Sequence, residues 1–143
     1  EWMKGSGIHG RVADVSKSGT MLPVIEEIKE KHGRLNCLIN NAGIASNTPA
    51  VGFKDDEIYK IIDTNFVGVF RACQAYYKTH KLLGGNIINV ASVLGISGYS
   101  LASIYSGTKG ASIQLARSLA AEWIKNNFRA NVICPGFIDT DMN

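Results

Sequence analysis

In the stretch IYSGTKG at 104–110, Tyr105 and Lys109 stand four residues apart. On a helix, positions i and i+4 share a face, with side-chain origins about 6 Å apart. A phenol beside an ammonium ionises more readily than a phenol alone. Such a phenol can give a proton to a developing alkoxide or take one from an alcohol. The spacing by itself is equally that of two side chains on a solvated helix face, so it needs company. Ser92 ends the apolar run NIINVAS and offers a hydroxyl that could hydrogen-bond the same oxygen. Asn40-Asn41-Ala42-Gly43 follows the apolar run LNCLI and is small enough to let a flat ligand approach the backbone. Pro135-Gly136, with Thr140 beyond, follows the run ANVICP. Each piece alone reads as an ordinary turn or loop start. Together they fall where one site can be assembled.

The elements that must position these residues alternate in type. IHGRVA at 8–13 is a strand candidate. From Ser18 or Thr20 to His32 the apolar positions Leu22, Ile25 and Ile28 repeat at helical spacing, with Gly33 as the stop. LNCLI at 35–39 reads as a strand buried on both faces. Asp55, Asp56 and Glu57 favour a helix N-terminus through its dipole, and Ile58, Ile61, Ile62, Phe66, Val69, Phe70 and Cys73 carry the apolar face toward Gly84-Gly85. NIINVAS at 86–92 is the next strand, 104 to about 124 the next helix, and ANVICP at 130–135 the last strand. Strands separated by helices of this length imply parallel strands joined by crossovers, a doubly wound α/β fold. In such a fold the ligand lies beyond the carboxyl ends of the strands, where all of the candidate residues fall.

Composition bounds the function class. The chain has 143 residues, one domain or less, and 45 % hydrophobic content suits a buried core. A net charge of +3 is spread without a basic block, which argues against a nucleic-acid partner. No apolar run approaches the roughly 20 residues of a membrane span, and EWMKGSG lacks the apolar core of a signal peptide. Cys37, Cys73 and Cys134 are odd in number and sit in apolar surroundings, so free thiols in a reducing, cytoplasmic compartment are expected. His9, His32 and His80 have no metal-ligand spacing, and no metal site is expected.

With these residues in place, the sequence resembles the short-chain dehydrogenases/reductases. Asn40-Asn41-Ala42-Gly43 resembles their NNAG motif. Asn65, Ser92, Tyr105 and Lys109 resemble their catalytic Asn-Ser-Tyr-Lys tetrad, and Pro135-Gly136 with Thr140 their PG and cofactor-amide segment. Asp14-Val15 falls where the family places an acidic residue beside the adenine ring. The resemblance implies a Rossmann-like sheet and NAD or NADP as cofactor. It also implies an oxidoreductase that interconverts a ketone and a secondary alcohol, with a small carbonyl or alcohol compound as the substrate partner. Tyr105 is then the general acid/base, Lys109 depresses its pKa and holds the nicotinamide ribose, Ser92 orients the carbonyl, and Asn65 kinks its helix to hold a proton-relay water. Asp14, Val15, Asn41, Ala42, Gly43, Ile138 and Thr140 contact the dinucleotide. The family also implies a homotetramer, paired through helices 54–83 and 104–125, with Phe70, Tyr76, Tyr77, Ile113, Leu119, Trp123 and Ile124 supplying the apolar faces.

The resemblance has gaps. The Gly-rich first turn that grips a pyrophosphate and the strand that separates NAD from NADP are not in this sequence. HGRVADVS resembles the family's third strand, and the lid and last strand would follow Asn143. Residues 1–143 therefore read as the central part of one domain, and a sheet with strand order 3-2-1-4-5-6 leaves a gap beside strand 35–39. A second reading is a cofactor-incompetent fragment, or an inactive relative, that serves packing or assembly. The substrate stays open. GFIDTDM at 136–142 resembles the beta-ketoacyl carrier-protein reductase branch and AAEWIKNN the polyol and sugar reductases, with a general carbonyl reductase as a third alternative; Val93, Leu94, Ile96, Tyr99 and Phe137 indicate a partly apolar pocket.

Overall fold

Three short strands carry the centre of the molecule in a computed structural model that describes residues 7–139. β1 (Cys37–Asn40), β2 (Gly85–Val90) and β3 (Phe128–Ile133) lie in that order, all parallel. Asn40 pairs with Asn89, and Val90 with Ile133. The strands therefore end nearly level and deliver Asn41, Ser92 and Pro135 to one edge.

Parallel neighbours need crossovers, and helices supply them. α1 (Met21–His32) precedes β1 and closes at Gly33, whose amide donates to the Lys29 carbonyl at 2.7 Å. α2 (Asp55–Ile62), one π-helical turn (Asp63–Val67) and α3 (Gly68–His80) connect β1 to β2. α4 (Ser103–Trp123) connects β2 to β3. Asp55, Asp56 and Glu57 occupy the first turn of α2, where they offset the positive end of its dipole.

The core joins Ile25 of α1, Val69, Cys73 and Tyr76 of α3, Leu119 and Trp123 of α4, and Ile87, Phe128 and Ala130 of the sheet. By register those three sheet residues point to one face, so α1, α3 and α4 cover that face. Aromatic rings fill its base: Tyr77 stacks on Trp123 at 4.2 Å, and Tyr76 meets Phe128 edge-on at 5.4 Å. On the opposite face Ile39 and Ile133 are exposed. The parallel sheet expected from the alternation, Rossmann-like as the family resemblance implies, is present with one helical layer. A second layer, and a partner for the outer edge of β1, do not occur among the described residues.

Several boundaries differ from the sequence expectations. The strand expected at 8–13 does not form; residues 8–14 are exposed and irregular, with no pairing to the outer edge of β1. That segment is fastened sideways to α1 instead. The Arg11 guanidinium donates to the Glu27 carboxylate, Nε to Oε2 at 2.8 Å, and the His9 ring lies 5.4 Å from His32. The helix expected over 54–83 is three segments ending at His80, and Gly85 opens β2 rather than stopping a helix. β3 begins at Phe128, two residues early, because Phe128 and Ala130 alternate inward around exposed Arg129.

The apolar helix faces also sort differently from the expectation of a subunit interface. Tyr76, Leu119 and Trp123 are core residues, drawn inward by contact with Phe128 and the sheet, and Tyr77 is taken up by Trp123. Phe70 and Ile124 do stand exposed, and Ile113 is half-buried. Of the cysteines, Cys73 is buried while Cys37 and Cys134 are half-buried, and all three are free thiols. Among the described residues no group of His, Cys, Asp or Glu could hold a metal ion, and no helix is long and apolar enough to cross a membrane.

Candidate active site

A cleft of about 810 Å³ opens at the carboxyl edge of the sheet. Asn41 and Gly43 after β1, Ser92 after β2, Gly136 after β3, and Tyr105 and Lys109 of α4 all line it. Pro135 and Ile138 line it as well. Three strand ends and one helix start thus converge on a single cavity, the place where parallel α/β sheets hold ligands.

Lys109 lies one turn beyond Tyr105, with its Nζ 5.5 Å from the centroid of the phenol ring. The ammonium donates to the Val90 carbonyl at 2.8 Å and is 6 % exposed. Burial pushes its pKa down from the ordinary 10.5, since a charged amine is harder to keep where water is excluded.

Ser92 leaves β2 in an extended conformation, and its Oγ accepts from the Leu94 amide at 3.1 Å. That bond caps a short 3-10 turn, Val93–Gly95, and leaves the hydroxyl proton to donate elsewhere. The Val93 amide donates to the Pro135 carbonyl at 2.9 Å, sewing this turn to the loop after β3. Gly95 brings the turn onto the backbone of α4. A Cβ there would stand 2.7 Å from the Lys109 carbonyl carbon and 2.9 Å from the Gly110 nitrogen. Ser92 and the Tyr105/Lys109 face are therefore held to each other through main chain.

Asn65 is buried in the π-helical turn beneath the cleft and does not line it. Its Oδ1 accepts from the Ile44 amide and its Nδ2 donates to the Ile44 carbonyl, both at 2.8 Å, and Nδ2 also reaches Thr108 Oγ1 at 3.2 Å. The Asn65 carbonyl accepts from Ser112 Oγ at 3.3 Å. The NNAG turn, the π turn and α4 are joined at this one side chain. A Cβ on Gly43 would lie 3.4 Å from Asn65 Oδ1 and 3.5 Å from Lys109 Nζ, so the cleft wall there is bare backbone that a planar group could approach.

Other candidates fall elsewhere. Asp14 is exposed in a turn, where its carboxylate accepts from the Ser16 amide at 2.9 Å and the Ser16 hydroxyl at 2.7 Å. Those bonds hold its pKa below the ordinary 3.8. Val15 packs on α3 at Gly68, and Arg71 ties the turn down by donating to the Ser16 carbonyl at 2.6 Å. Asp14, Val15 and Ala42 are not among the cleft-lining residues. Thr140 lies outside the described residues.

Sequence reasoning missed three supports of the site. Thr108 and Ser112 are buried one turn apart on α4 against Asn65; two small polar residues at i and i+4 among apolar neighbours were the available signal. Asn40 donates to Asn89 Oδ1 at 2.9 Å, a side-chain bridge between β1 and β2 just before both strands reach the cleft. Asparagines inside two apolar strands signalled it. Gly95 gave no local signal.

The chain belongs to the short chain dehydrogenase family, whose model matches residues 2–143. The 3-oxoacyl-(acyl-carrier-protein) reductase of Rattus norvegicus is 37 % identical over 129 residues, covering 90 % of this chain and 55 % of that protein. A chloroplastic tropinone reductase homologue of Arabidopsis thaliana is 37 % identical over 145 residues, covering 99 % of this chain and 45 % of that protein. Among solved structures, a gluconate 5-dehydrogenase from Burkholderia cenocepacia, in complex with NADP and tartrate, superposes with a TM-score of 0.89 at 29 % identity, covering 99 % of this chain and 57 % of its own. The chain spans about half the length of the curated relatives it matches. Family membership, with an NADP-bound structural neighbour, supports NAD or NADP as the cofactor.

Proposed function

We propose that this chain carries the proton-transfer half of an NAD(P)-dependent oxidoreductase that interconverts a ketone and a secondary alcohol. The observation that carries the reading is that Tyr105, Ser92 and Lys109 line one cleft, with the buried Lys109 bringing its Nζ within 5.5 Å of the centroid of the phenol ring. Asn41, Gly43, Pro135, Gly136, Ile138 and Lys109 would hold the dinucleotide, and the bare backbone at Gly43 fits a planar ring. When bound, the reduced cofactor supplies a hydride to the carbonyl carbon and is itself oxidised.

The residues of this chain manage the oxygen. Tyr105 donates its phenolic proton as the carbonyl oxygen becomes an alkoxide, and takes a proton back in the oxidation direction. Ser92, whose Oγ already accepts from Leu94, donates a second hydrogen bond to the same oxygen. Lys109 places its ammonium 5.5 Å from the centroid of the phenol ring, on the same helix face. Asn65, with Thr108 and Ser112, positions the NNAG turn against α4.

The reading is tested by Tyr105→Phe in the complete protein. Turnover with a ketone and NADPH or NADH is expected to fall at least about a hundredfold, the lower range for loss of a general acid/base, while the circular dichroism spectrum stays that of the parent. Near-normal turnover would overturn it.

We also propose a homotetramer in the complete protein, in a reducing compartment that suits three free thiols. Exposed Phe70 and Ile124 on the outer sides of α3 and the α4 terminus favour helix pairing between copies. Sedimentation at micromolar concentration should show four copies; a monomer refutes the assembly.

A further inference from the structure

The mouth of the cleft has a chemistry of its own. Among the described lining residues Lys109 alone is charged, and its ammonium is buried and committed to the Val90 carbonyl. Asn41, Ser46, Asn47 and Ser100 give the cavity neutral polar groups, and Val93, Leu94, Tyr99, Leu101 and Phe137 give it an apolar stretch of wall. Tyr99 and Phe137 come from different loops, yet their rings meet edge-to-face at 5.9 Å while remaining 57 % and 71 % exposed. An aromatic pair that packs on itself and still leaves most of its surface open forms one continuous surface for another apolar body.

Leu101 adds a second, independent sign. It sits in the left-handed region at φ 65°, where a branched side chain is strained, and it is 45 % exposed at the cleft wall. Neighbouring Ala102 is buried, so the strain fixes Leu101 at the rim while the chain dives into α4. Strained residues of this kind cluster where a ligand is gripped.

We infer that the substrate is a neutral ketone, or the matching secondary alcohol, whose larger substituent is apolar and preferably aromatic, and that Tyr99 and Phe137 determine that preference. The inference rests on the reductase reading above and sharpens it. A carboxylate brought into this cleft would lose water and meet, among the described lining residues, only the buried Lys109 ammonium that already bonds Val90 and is assigned to the cofactor, whereas an aryl group exchanges water for the Tyr99, Phe137 and Leu101 surfaces. A polyhydroxylated chain lying along this stretch would face carbon at Val93, Leu94, Leu101 and Phe137 and would reach polar partners only at Asn41, Ser46, Asn47 and Ser100 elsewhere in the cavity. Polar partners for the reacting carbonyl come from Ser92 and Tyr105 at the cleft floor, so the apolar wall is free to select on the rest of the molecule.

Acetophenone, 4-acetylbenzoate and fructose distinguish the classes, each assayed for NADPH- or NADH-dependent reduction by the complete protein and for binding by ligand-observed NMR. Acetophenone should exceed both others at least about tenfold in kcat/KM, and should bind when 4-acetylbenzoate does not, since a pocket readily rejects a group whose charge it cannot pair. Tyr99→Ser should raise the KM for acetophenone about tenfold with a smaller change in kcat, the sign of lost uniform binding. Tyr99→Arg should reverse the order in favour of 4-acetylbenzoate, and Phe137→Ala should repeat the Tyr99→Ser result from the other loop. Equal or better use of 4-acetylbenzoate or fructose by the parent overturns the inference and leaves the reductase reading standing. Selective binding of acetophenone without turnover of any ketone supports the inference about the wall and removes the reductase reading. Binding of none of the three overturns the inference.

Discussion

The Leu35 amide donates to Nε2 of His80 at 3.0 Å, and the carbonyl of the same leucine accepts the Tyr76 hydroxyl at 2.7 Å. Two side chains one turn apart on α3 thus satisfy both backbone groups of the residue that leads into β1. The bond requires Nε2 to be unprotonated, which leaves Nδ1 to share its proton with Thr79 Oγ1 at 2.7 Å.

This clamp makes stability depend on acidity. Burial, with Lys29 and Arg34 nearby, pushes the His80 pKa below its ordinary 6.5. An unfolded chain therefore binds that proton more readily than the folded one, so the contribution of His80 is present above about pH 6.5 and is lost as pH falls. Denaturant titrations of the complete protein should show stability declining from pH 6.5 downward. His80→Phe should cost about 1–3 kcal/mol at neutral pH, the usual cost of an orphaned buried amide, and should flatten that decline.

Cys73 should behave as an inert thiol. Burial pushes its pKa up to about 12 from the ordinary 9.0, against a smaller opposing pull from the Asn40 amide, which donates to its sulfur at 3.2 Å. Alkylation of the native protein at pH 8 should label half-buried Cys37 and Cys134 well before Cys73. Below pH 9 both folded and unfolded chains hold the proton; above it only the folded chain does, so this stabilising contribution is lost between pH 9 and about 12. Equal labelling of the three cysteines would contradict the buried placement.

Gly95→Ala tests the main-chain contact between the Ser92 turn and α4. Its Cβ would meet backbone atoms at 2.7 to 3.0 Å, which cannot swing aside as a side chain does. We expect about 1–3 kcal/mol of destabilisation, the range for overpacking, together with a loss of activity larger than the fall in Tm explains. An unchanged Tm would mean the contact is looser than the structure shows.

Lys109→Met separates stability from activity. At neutral pH the buried ammonium opposes folding, because its pKa is lower in the folded chain than the ordinary 10.5 and the penalty lifts only as pH rises through that range. Replacing it with an apolar side chain of similar length should leave Tm unchanged or raise it while turnover falls, the pattern of a strained functional group. A clear drop in Tm would assign Lys109 a structural role through its bond to Val90.

The parts of the molecule that were legible share a local cause. Tyr105 and Lys109 declared their common face through i, i+4 spacing, and LNCLI and NIINV declared parallel strands through uninterrupted apolar runs, although burial on both faces fails at β1, where Ile39 is exposed. The segment 8–13 misled because a strand is a property of a pair, and β-like composition does not supply the neighbour. The apolar stripe alone does not show the π-helical turn, because one extra residue per turn hardly disturbs it; the interruption at Asn65 came from the family resemblance. Tyr76 reads as an outer-face residue because nothing near it in sequence shows that Phe128 arrives to cover it, and Leu119 and Trp123 do so because the strand that follows α4 turns back against them only in the fold. Without the family resemblance Asn65 reads only as a polar residue in a helix; its partner Ile44 is 21 residues away and takes part through its backbone.

That last joint has an asymmetric pattern of tolerance to genetic change. Asn65 reads the peptide group of residue 44 and not its side chain, so many amino acids can occupy position 44 while the joint persists. Position 65 has no such latitude. Aspartate would set an oxygen where Nδ2 now donates, facing the Ile44 carbonyl; glutamine would overreach by one methylene; leucine would strand both backbone groups. In a library of single variants, a permissive column at 44 would stand against a nearly empty one at 65, even though the two residues share the same bonds.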